Sequence, residues 1–264
     1  MKKNINICIL LTLLYSALML FVAGFIPFGT SIFVVAIPLI LLLFNRKYMP
    51  EKWPFENTTN MPLTSILFAV GIMGLYQGLM NIASYSPVDF NPETIFFMGI
   101  MTPIGEEIMF RGIIVNRLKK HGISFAIIAS AILFGLYHGT IVQAVSTTIY
   151  GICFGYIVTQ YSILYTIFLH FINNCVFCYV FPFIAEKSGC HQFTAGISFV
   201  LALIGLIAAI IGKSWKKIAE FYKENKGTNE KGCYKSFFLS PVFITIIALV
   251  LAFTIVFVIT LMGK

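Results

Sequence analysis

Two carboxylates, a guanidinium, two imidazoles and an amide occur at helical spacings in the middle third of the chain. They are Glu106 and Glu107 with Arg111, then His138, then His170 with Asn174. A carboxylate and an imidazole can move the proton of an attacking water, and imidazole and amide N–H groups can hold the resulting oxyanion. Glu107 and Arg111 are four residues apart, so on a helix they share a face and can pair. A matched pair of buried charges is far less costly than a lone one. Glu106 is turned by about 100° from Glu107 on a helix, so Arg111 cannot serve both equally, and Glu106 is the carboxylate left for chemistry. Pro103 and Gly105 lie just before it and loosen the helix where backbone groups are needed.

The elements that must carry these groups follow from composition. Apolar residues make up 59% of the 264 and charged residues 11%, against about 25% charged in soluble domains, and the mean hydropathy is +0.91. So little polar surface cannot cover so apolar a chain in water, so lipid must be the solvent. A spanning helix needs about 20 mostly apolar residues, which predicts spans near 5–25, 29–44, 61–84, 94–116, 123–141, 143–160, 162–184, 193–212 and 237–261. The second is short and the sixth rather polar (Thr147, Thr148, Tyr150, Tyr156), so the expectation is an all-α, polytopic transmembrane bundle of eight or nine spans. It forms one integral membrane domain over 1–264, with a candidate core at 94–180.

The formal charge of +8 could suggest nucleic acid, but its distribution points elsewhere. Of 18 Lys and Arg, 15 fall at Lys2–Lys3, Arg46–Lys52, Arg117–Lys120 and Lys213–Lys235. With a cytoplasmic N-terminus, nine spans put all four clusters on one side, leaving Lys187 and Lys264 opposite and Arg111 inside a span. That is the positive-inside pattern, so the charge reports topology and contact with anionic lipid, and no nucleic-acid partner is expected. The N-terminal apolar run follows Lys2 and Lys3 like a signal peptide, yet no clean cleavage site ends it and a second span follows Gly24–Thr30, so it reads as a retained helix. Six cysteines (8, 153, 175, 178, 190, 233) show no paired spacing and imply no disulfide framework. The sequon Asn57-Thr58-Thr59 falls on the cytoplasmic side of this topology and is discounted. Lys213–Lys235 is a basic cytoplasmic loop, read equally as an interfacial helix bearing Trp215, Ile218, Phe221 and Tyr222. No internal repeat or low-complexity tract is visible.

Ionisable groups inside a span cost on the order of 2.5–3.5 kcal/mol each on insertion scales, so they default to functional hypotheses. Here they concentrate between residues 106 and 174. Phe134 precedes His138 by one turn and His170 precedes Asn174 by one turn, each pair along one helical face. Gly135 and Gly139, with Gly151 and Gly155, would let neighbouring helices approach closely.

In order, the pieces are Glu106-Glu107-x-x-x-Arg111, Phe134-x-x-x-His138 and His170-x-x-x-Asn174. This set resembles the CAAX protease and bacteriocin-processing (Abi) family of intramembrane endopeptidases, which includes the type II CAAX prenyl endopeptidases. The resemblance spans roughly 94–180; residues 1–90 and 190–264 carry none. It implies that Glu106 and His138 activate water, that His170 and Asn174 stabilise the oxyanion, and that Glu107 and Arg111 support Glu106. A competing version binds a divalent ion such as zinc through Glu and His. The two-His, one-Glu helical signature of zinc peptidases is absent, and the metal-free version is preferred. Cys175 and Cys178 beside Asn174 are read as packing, because free cysteines in apolar helices usually are. Glu107–Arg111 alone is a structural ion pair, and either histidine alone is more often a satisfied interhelical group. It is the ordered set that makes a site. His121 and His191 are assigned no role.

The expectation is therefore a multi-pass membrane endopeptidase that cuts a membrane-associated or lipid-anchored peptide, its site opening to the cytoplasm. Fifteen Lys against three Arg suggests an AT-rich bacterial genome, which favours peptide precursor maturation or bacteriocin self-immunity over prenylated substrates. A non-catalytic membrane scaffold or immunity protein of the same fold is the first rival. A transporter is the second, disfavoured because no inverted repeat is visible.

Overall fold

A computed structural model describes residues 1–25, 29–45, 59–83 and 91–262. The Arg46–Lys52 cluster, Lys264 and all of the Asn57-Thr58-Thr59 sequon except Thr59 lie outside the described residues. Every regular element among them is helical. In chain order these are α1 (Lys2–Phe25), α2 (Gly29–Asn45), α3 (Leu63–Ala83), α4 (92–118), α5 (Ile123–Tyr137), α6 (Ile141–Gln160), α7 (Ile163–Ser188), α8 (His191–Gly212), α9 (Ser214–Lys226), α10 (Cys233–Phe238) and α11 (Pro241–Met262).

Each of the nine apolar segments read from the sequence coincides with one of these helices. Ile163–Ser188, Gln192–Gly212 and Pro241–Thr260 are long and apolar enough by themselves to cross a membrane, and Ile32–Phe44, Leu63–Leu79 and Ile123–Tyr137 are apolar but shorter. Leu164, Phe168, Leu203, Ile211, Phe253 and Ile259 stand exposed on outward faces, which only an apolar solvent tolerates as a continuous surface. The chain is an integral membrane protein. Lys213–Lys235 holds two short helices, α9 and α10, with Trp215 exposed and Phe221 packed edge-on against Tyr156.

Local sequence explains how the central helices begin and bend. Asn91 caps α4 by accepting from Glu93 N–H, with Pro92 at the first helical position. Thr140 and Ser162 cap α6 and α7 in the same manner. α4 is not uniform: wide π turns at Ile95–Met101 and Ile108–Val115 alternate with α turns at Thr102–Glu107 and Asn116–Leu118. α7 likewise widens at Asn173–Val180, just before Pro182. Such bulges cluster at functional sites, because they re-aim side chains and release backbone carbonyls.

The released carbonyls are captured from neighbouring helices. In the first π turn the partner of Met98 O would be the N–H of residue 103, which is proline; Met98 O instead accepts from Asn174 Nδ2 at 2.9 Å. In α2 the partner of Val34 O would be the N–H of residue 38, again proline, and Val34 O accepts from the Tyr15 hydroxyl at 2.9 Å. Phe110 O, in the second π turn, accepts from Ser130 Oγ on α5 at 2.8 Å. Gly105 permits the α2–α4 contact, since a Cβ there would collide with Val34 O.

The basic ends of several helices meet. His121, after α4, pairs with Glu230; its Nε2 lies 3.3 Å from Asn4 Nδ2 at the start of α1, and its carbonyl accepts from Glu230 N–H. Gly122 has φ of 116° and packs against Asn229, whose side-chain oxygen accepts from Phe125 N–H. Three of the four basic clusters therefore share one end of the bundle.

Candidate functional site

The site is built where α4, α5 and α7 cross. Glu106 and Glu107 end the α turn Thr102–Glu107, and Arg111 lies in the π turn after it. Glu107 is 0% exposed and Arg111 1%, so neither charge has water to solvate it. They solvate one another through Arg111 Nη1 and Glu107 Oε1 at 2.9 Å. The guanidinium also lies 4.2 Å from the centre of the Phe134 ring and 5.4 Å from that of Phe154, a favourable contact for a desolvated cation.

His170 enters from α7 and bridges the two carboxylates. Its Nδ1 donates to Glu107 Oε1 at 3.0 Å, and its Nε2 stands 3.7 Å from Glu106 Oε2. The second distance is too long for a direct hydrogen bond, so the imidazole and the carboxylate face each other without one. Glu106 Oε2 is buried and has no hydrogen-bond partner among the described residues. The carboxylate that helical geometry leaves without a guanidinium is thus aimed at an imidazole across a gap.

His138 follows α5 as its C-terminal cap. Its Nδ1 donates to Phe134 O at 2.8 Å, an oxygen that can only accept, so in the neutral ring the Nε2 carries the lone pair. No hydrogen bond or ion pair joins His138 to Glu106 among the described residues; the imidazole set against Glu106 is that of His170. Asn174 keeps one amide N–H on Met98 O, accepts on Oδ1 from Asn173 Nδ2 at 3.1 Å and retains its second N–H.

Phe134 is the common neighbour of all three motifs. Its ring centre lies 4.8 Å from that of His138 and 5.9 Å from that of His170, besides the 4.2 Å to Arg111. One aromatic residue on α5 therefore sets the spacing of the cation and both imidazoles.

Residues 90–176 match the family model described as type II CAAX prenyl endopeptidase Rce1-like. The match takes in all three motifs and about a third of the chain, and bears out the resemblance read from them. Searches of curated proteins and of solved structures returned no match. The matched segment takes in α4 through the middle of α7, the helices that meet at Glu106, Phe134 and His170.

Among the described residues no group of three or more His, Cys, Asp or Glu side chains stands where it could share a metal ion. Glu107 is committed to Arg111 and His170, and the Cys175 sulfur packs against Gly99.

Two neighbours escaped the motif reading. Tyr137 packs against Phe110 and edge-on against His138, each at 5.5 Å between ring centres, and the Tyr15 and Tyr137 rings stack at 5.2 Å with 13° between planes. Tyr137 precedes His138 in the sequence and could have been noticed; Tyr15 lies about 120 residues before it in an apolar helix and carries no local signal.

Proposed function

We propose that the chain is a CAAX-type intramembrane endopeptidase acting on a lipid-anchored or membrane-associated peptide. The observation that carries this reading is the buried, unpartnered Glu106 Oε2, 3.7 Å from His170 Nε2 and beside a charge-balanced Glu107–Arg111 pair. Glu106 takes the proton of an attacking water, and the His138 Nε2 lone pair orients that water. The second N–H of Asn174, and the Nε2–H that His170 carries as an imidazolium with its Nδ1–H kept on Glu107, face the oxyanion that forms as the scissile carbonyl becomes tetrahedral. Glu106, now protonated, returns the proton to the leaving amine, which closes the proton balance. Glu107 and Arg111 hold His170 and the helix in place. The chemistry is metal-free.

The end where Lys2–Lys3, Arg117–Lys120 and the 213–235 segment gather is cytoplasmic, as is the N-terminus; Glu106 lies about 16 Å of helix away from it, and the site opens towards that side. Substrates are peptides whose lipid tail or apolar segment holds them in the bilayer, including precursors matured in a bacterial membrane or peptides against which the cell protects itself.

The test uses purified full-length protein in detergent and two internally quenched peptides. One ends in a farnesylated Cys-aliphatic-aliphatic-X tail and the other is unprenylated with an apolar helix. Wild type cuts at least one, Glu106→Gln and His138→Ala lose on the order of 10²–10⁴-fold in rate, the scale of general acid–base catalysis, and a strong chelator leaves the wild-type rate unchanged. Equal rates in wild type and Glu106→Gln overturn the peptidase reading in favour of a scaffold; loss of activity with chelator overturns its metal-free form.

A further inference from the structure

We propose that α9 is a surface helix that binds anionic phospholipid headgroups through one face, formed by Trp215, Lys216, Lys223 and Lys226. This role is independent of the peptidase chemistry and needs only that the chain spans a bilayer.

The position of α9 follows from where its neighbours begin and end. α8 holds 22 residues, about 33 Å of helix, enough to cross a hydrocarbon core of about 30 Å. It stops at Gly212, and Lys213 takes a left-handed φ of 51°, the single positive φ outside glycine among the described residues. That conformation is costly for a side chain other than glycine, and it breaks the spanning helix before Ser214 starts the next one. Gly212 packs on Thr64 in the first turn of α3, so α3 begins at the level where α8 ends. α9 touches α3, α5 and α8, and its Phe221 ring lies 5.3 Å from that of Tyr156 near the end of α6. A helix of 13 residues that meets four others in this way lies across their ends rather than alongside one of them.

Successive residues of a helix turn by about 100°, which divides α9 into three faces. Ser214, Ile218, Phe221, Tyr222 and Asn225 share one, and all are buried or half-buried against the bundle. Trp215, Lys216, Ala219, Lys223 and Lys226 fall within about 100° on the second face and all are exposed, Trp215 by 46%. Glu220, Glu224 and Lys217 make up the third. The helix thus keeps its acids off the tryptophan face, which carries three lysines and no carboxylate. None of those lysines makes an ion pair among the described residues.

The chemistry of that face selects its occupant. Three unpaired cations call for an anionic partner, and a tryptophan at the end of a spanning helix is the residue that sits at headgroup depth. Phe238 and Leu239, 43% and 62% exposed, stand just before α11 begins at Pro241 and add apolar surface where another spanning helix starts. An acidic protein would satisfy the lysines but leave these apolar groups in water. A headgroup layer satisfies both.

The experiment uses the full-length chain with Trp53→Phe, which leaves Trp215 as its one tryptophan, in phosphatidylcholine vesicles with and without phosphatidylglycerol. Acrylamide quenching of its fluorescence reports contact with water, and quenching by bromine on the upper acyl chain reports contact with lipid. With phosphatidylglycerol present, Trp215 is shielded from acrylamide and quenched by bromine. Without it, or at 1 M salt, where charges are screened within about 3 Å, the shielding is lost. The triple variant Lys216→Gln, Lys223→Gln, Lys226→Gln loses the shielding with thermal unfolding unchanged, whereas Glu220→Gln with Glu224→Gln keeps it. Equal access of acrylamide to Trp215 in both kinds of vesicle overturns the proposal. Equal bromine quenching in both assigns the anchoring to the tryptophan alone and overturns the part given to the lysines. If soluble polyglutamate shields Trp215 as well as phosphatidylglycerol does, the face is a dock for an acidic protein and the lipid assignment falls.

Discussion

At the α3–α8 contact, a Cβ built on Gly71 would lie 2.6 Å from Gly205 Cα, and one on Gly74 would lie 2.6 Å from Ser198 O. Neither helix carries an Asp, Glu, Lys or Arg, so two apolar rods meet backbone to backbone. At the α4–α5–α7 junction the helices are joined instead by polar groups: Arg111 to Glu107, His170 to Glu107, Ser130 to Phe110 O and Asn174 to Met98 O. Lipid removes the hydrophobic drive between helices, so association needs either close packing of small residues or hydrogen bonds left no better partner. This protein uses the first where nothing but adhesion is required and the second where a carboxylate must be held for chemistry. Substitutions should therefore separate the two regions.

The largest stability loss is expected at the polar junction. Arg111→Ala leaves the buried Glu107 without its cation, with a hydrogen bond from His170 still in place, and removes the guanidinium over Phe134. Breaking one half of a buried pair costs about 3–5 kcal/mol, so thermal unfolding in detergent should fall sharply and activity should vanish with it. Arg111→Ala that unfolds like wild type would show that the pair holds nothing together, and the contrast with α3–α8 would fail.

Gly205→Leu should give the opposite profile. The new side chain meets Gly71 backbone, which cannot move aside as a flexible side chain would. Overpacking of this kind costs about 1–3 kcal/mol, and the loss should appear in unfolding while kcat on the same peptide stays within about twofold, because α8 contributes no polar group to the site. A large fall in kcat with unchanged unfolding would mean that the two regions are coupled.

How much of this could be read beforehand differs along the same division. The nine apolar segments were legible because spanning length and hydropathy are properties of single helices. The Glu107–Arg111 pairing was likewise legible, because it is set by i,i+4 spacing within one helix. Which imidazole faces Glu106 was not. Spacing orders Glu106, His138 and His170 along the chain but says nothing of how three helices rotate about their axes, and that is decided by contacts such as Phe134 on Arg111 and Gly135 on Ala144. The glycines of α5 and α6 were singled out by spacing, and Gly135, Gly151 and Gly155 do face close neighbours across that hairpin. The α3–α8 pair was missed because those helices are far apart in sequence. Tyr15 was hidden for a different reason: in a chain with 12 Tyr and 27 Phe, one more aromatic in an apolar helix is unremarkable until a partner is seen.

Pro38 is where a readable sequence feature was left unread, and it supports the smallest and most discriminating prediction. A proline within a helix withholds one N–H, and in a membrane the carbonyl it strands must find another donor. Here that donor is Tyr15, whose ring stacks on Tyr137 beside His138. Pro38→Ala restores an N–H that competes for Val34 O and a backbone better suited to helix, so unfolding should be unchanged or improved by about 1 kcal/mol, the net worth of one hydrogen bond. If the proline serves only to bend α2, straightening it should alter stability and substrate affinity together. If instead its purpose is to keep Val34 O open for Tyr15, kcat should fall two- to threefold at constant KM, and that fall should disappear in a Tyr15→Phe background. A gain in stability accompanied by a loss of rate is not the behaviour of a purely structural bend. It marks a helix that gives up a backbone hydrogen bond so that a side chain on its neighbour can be held for the site.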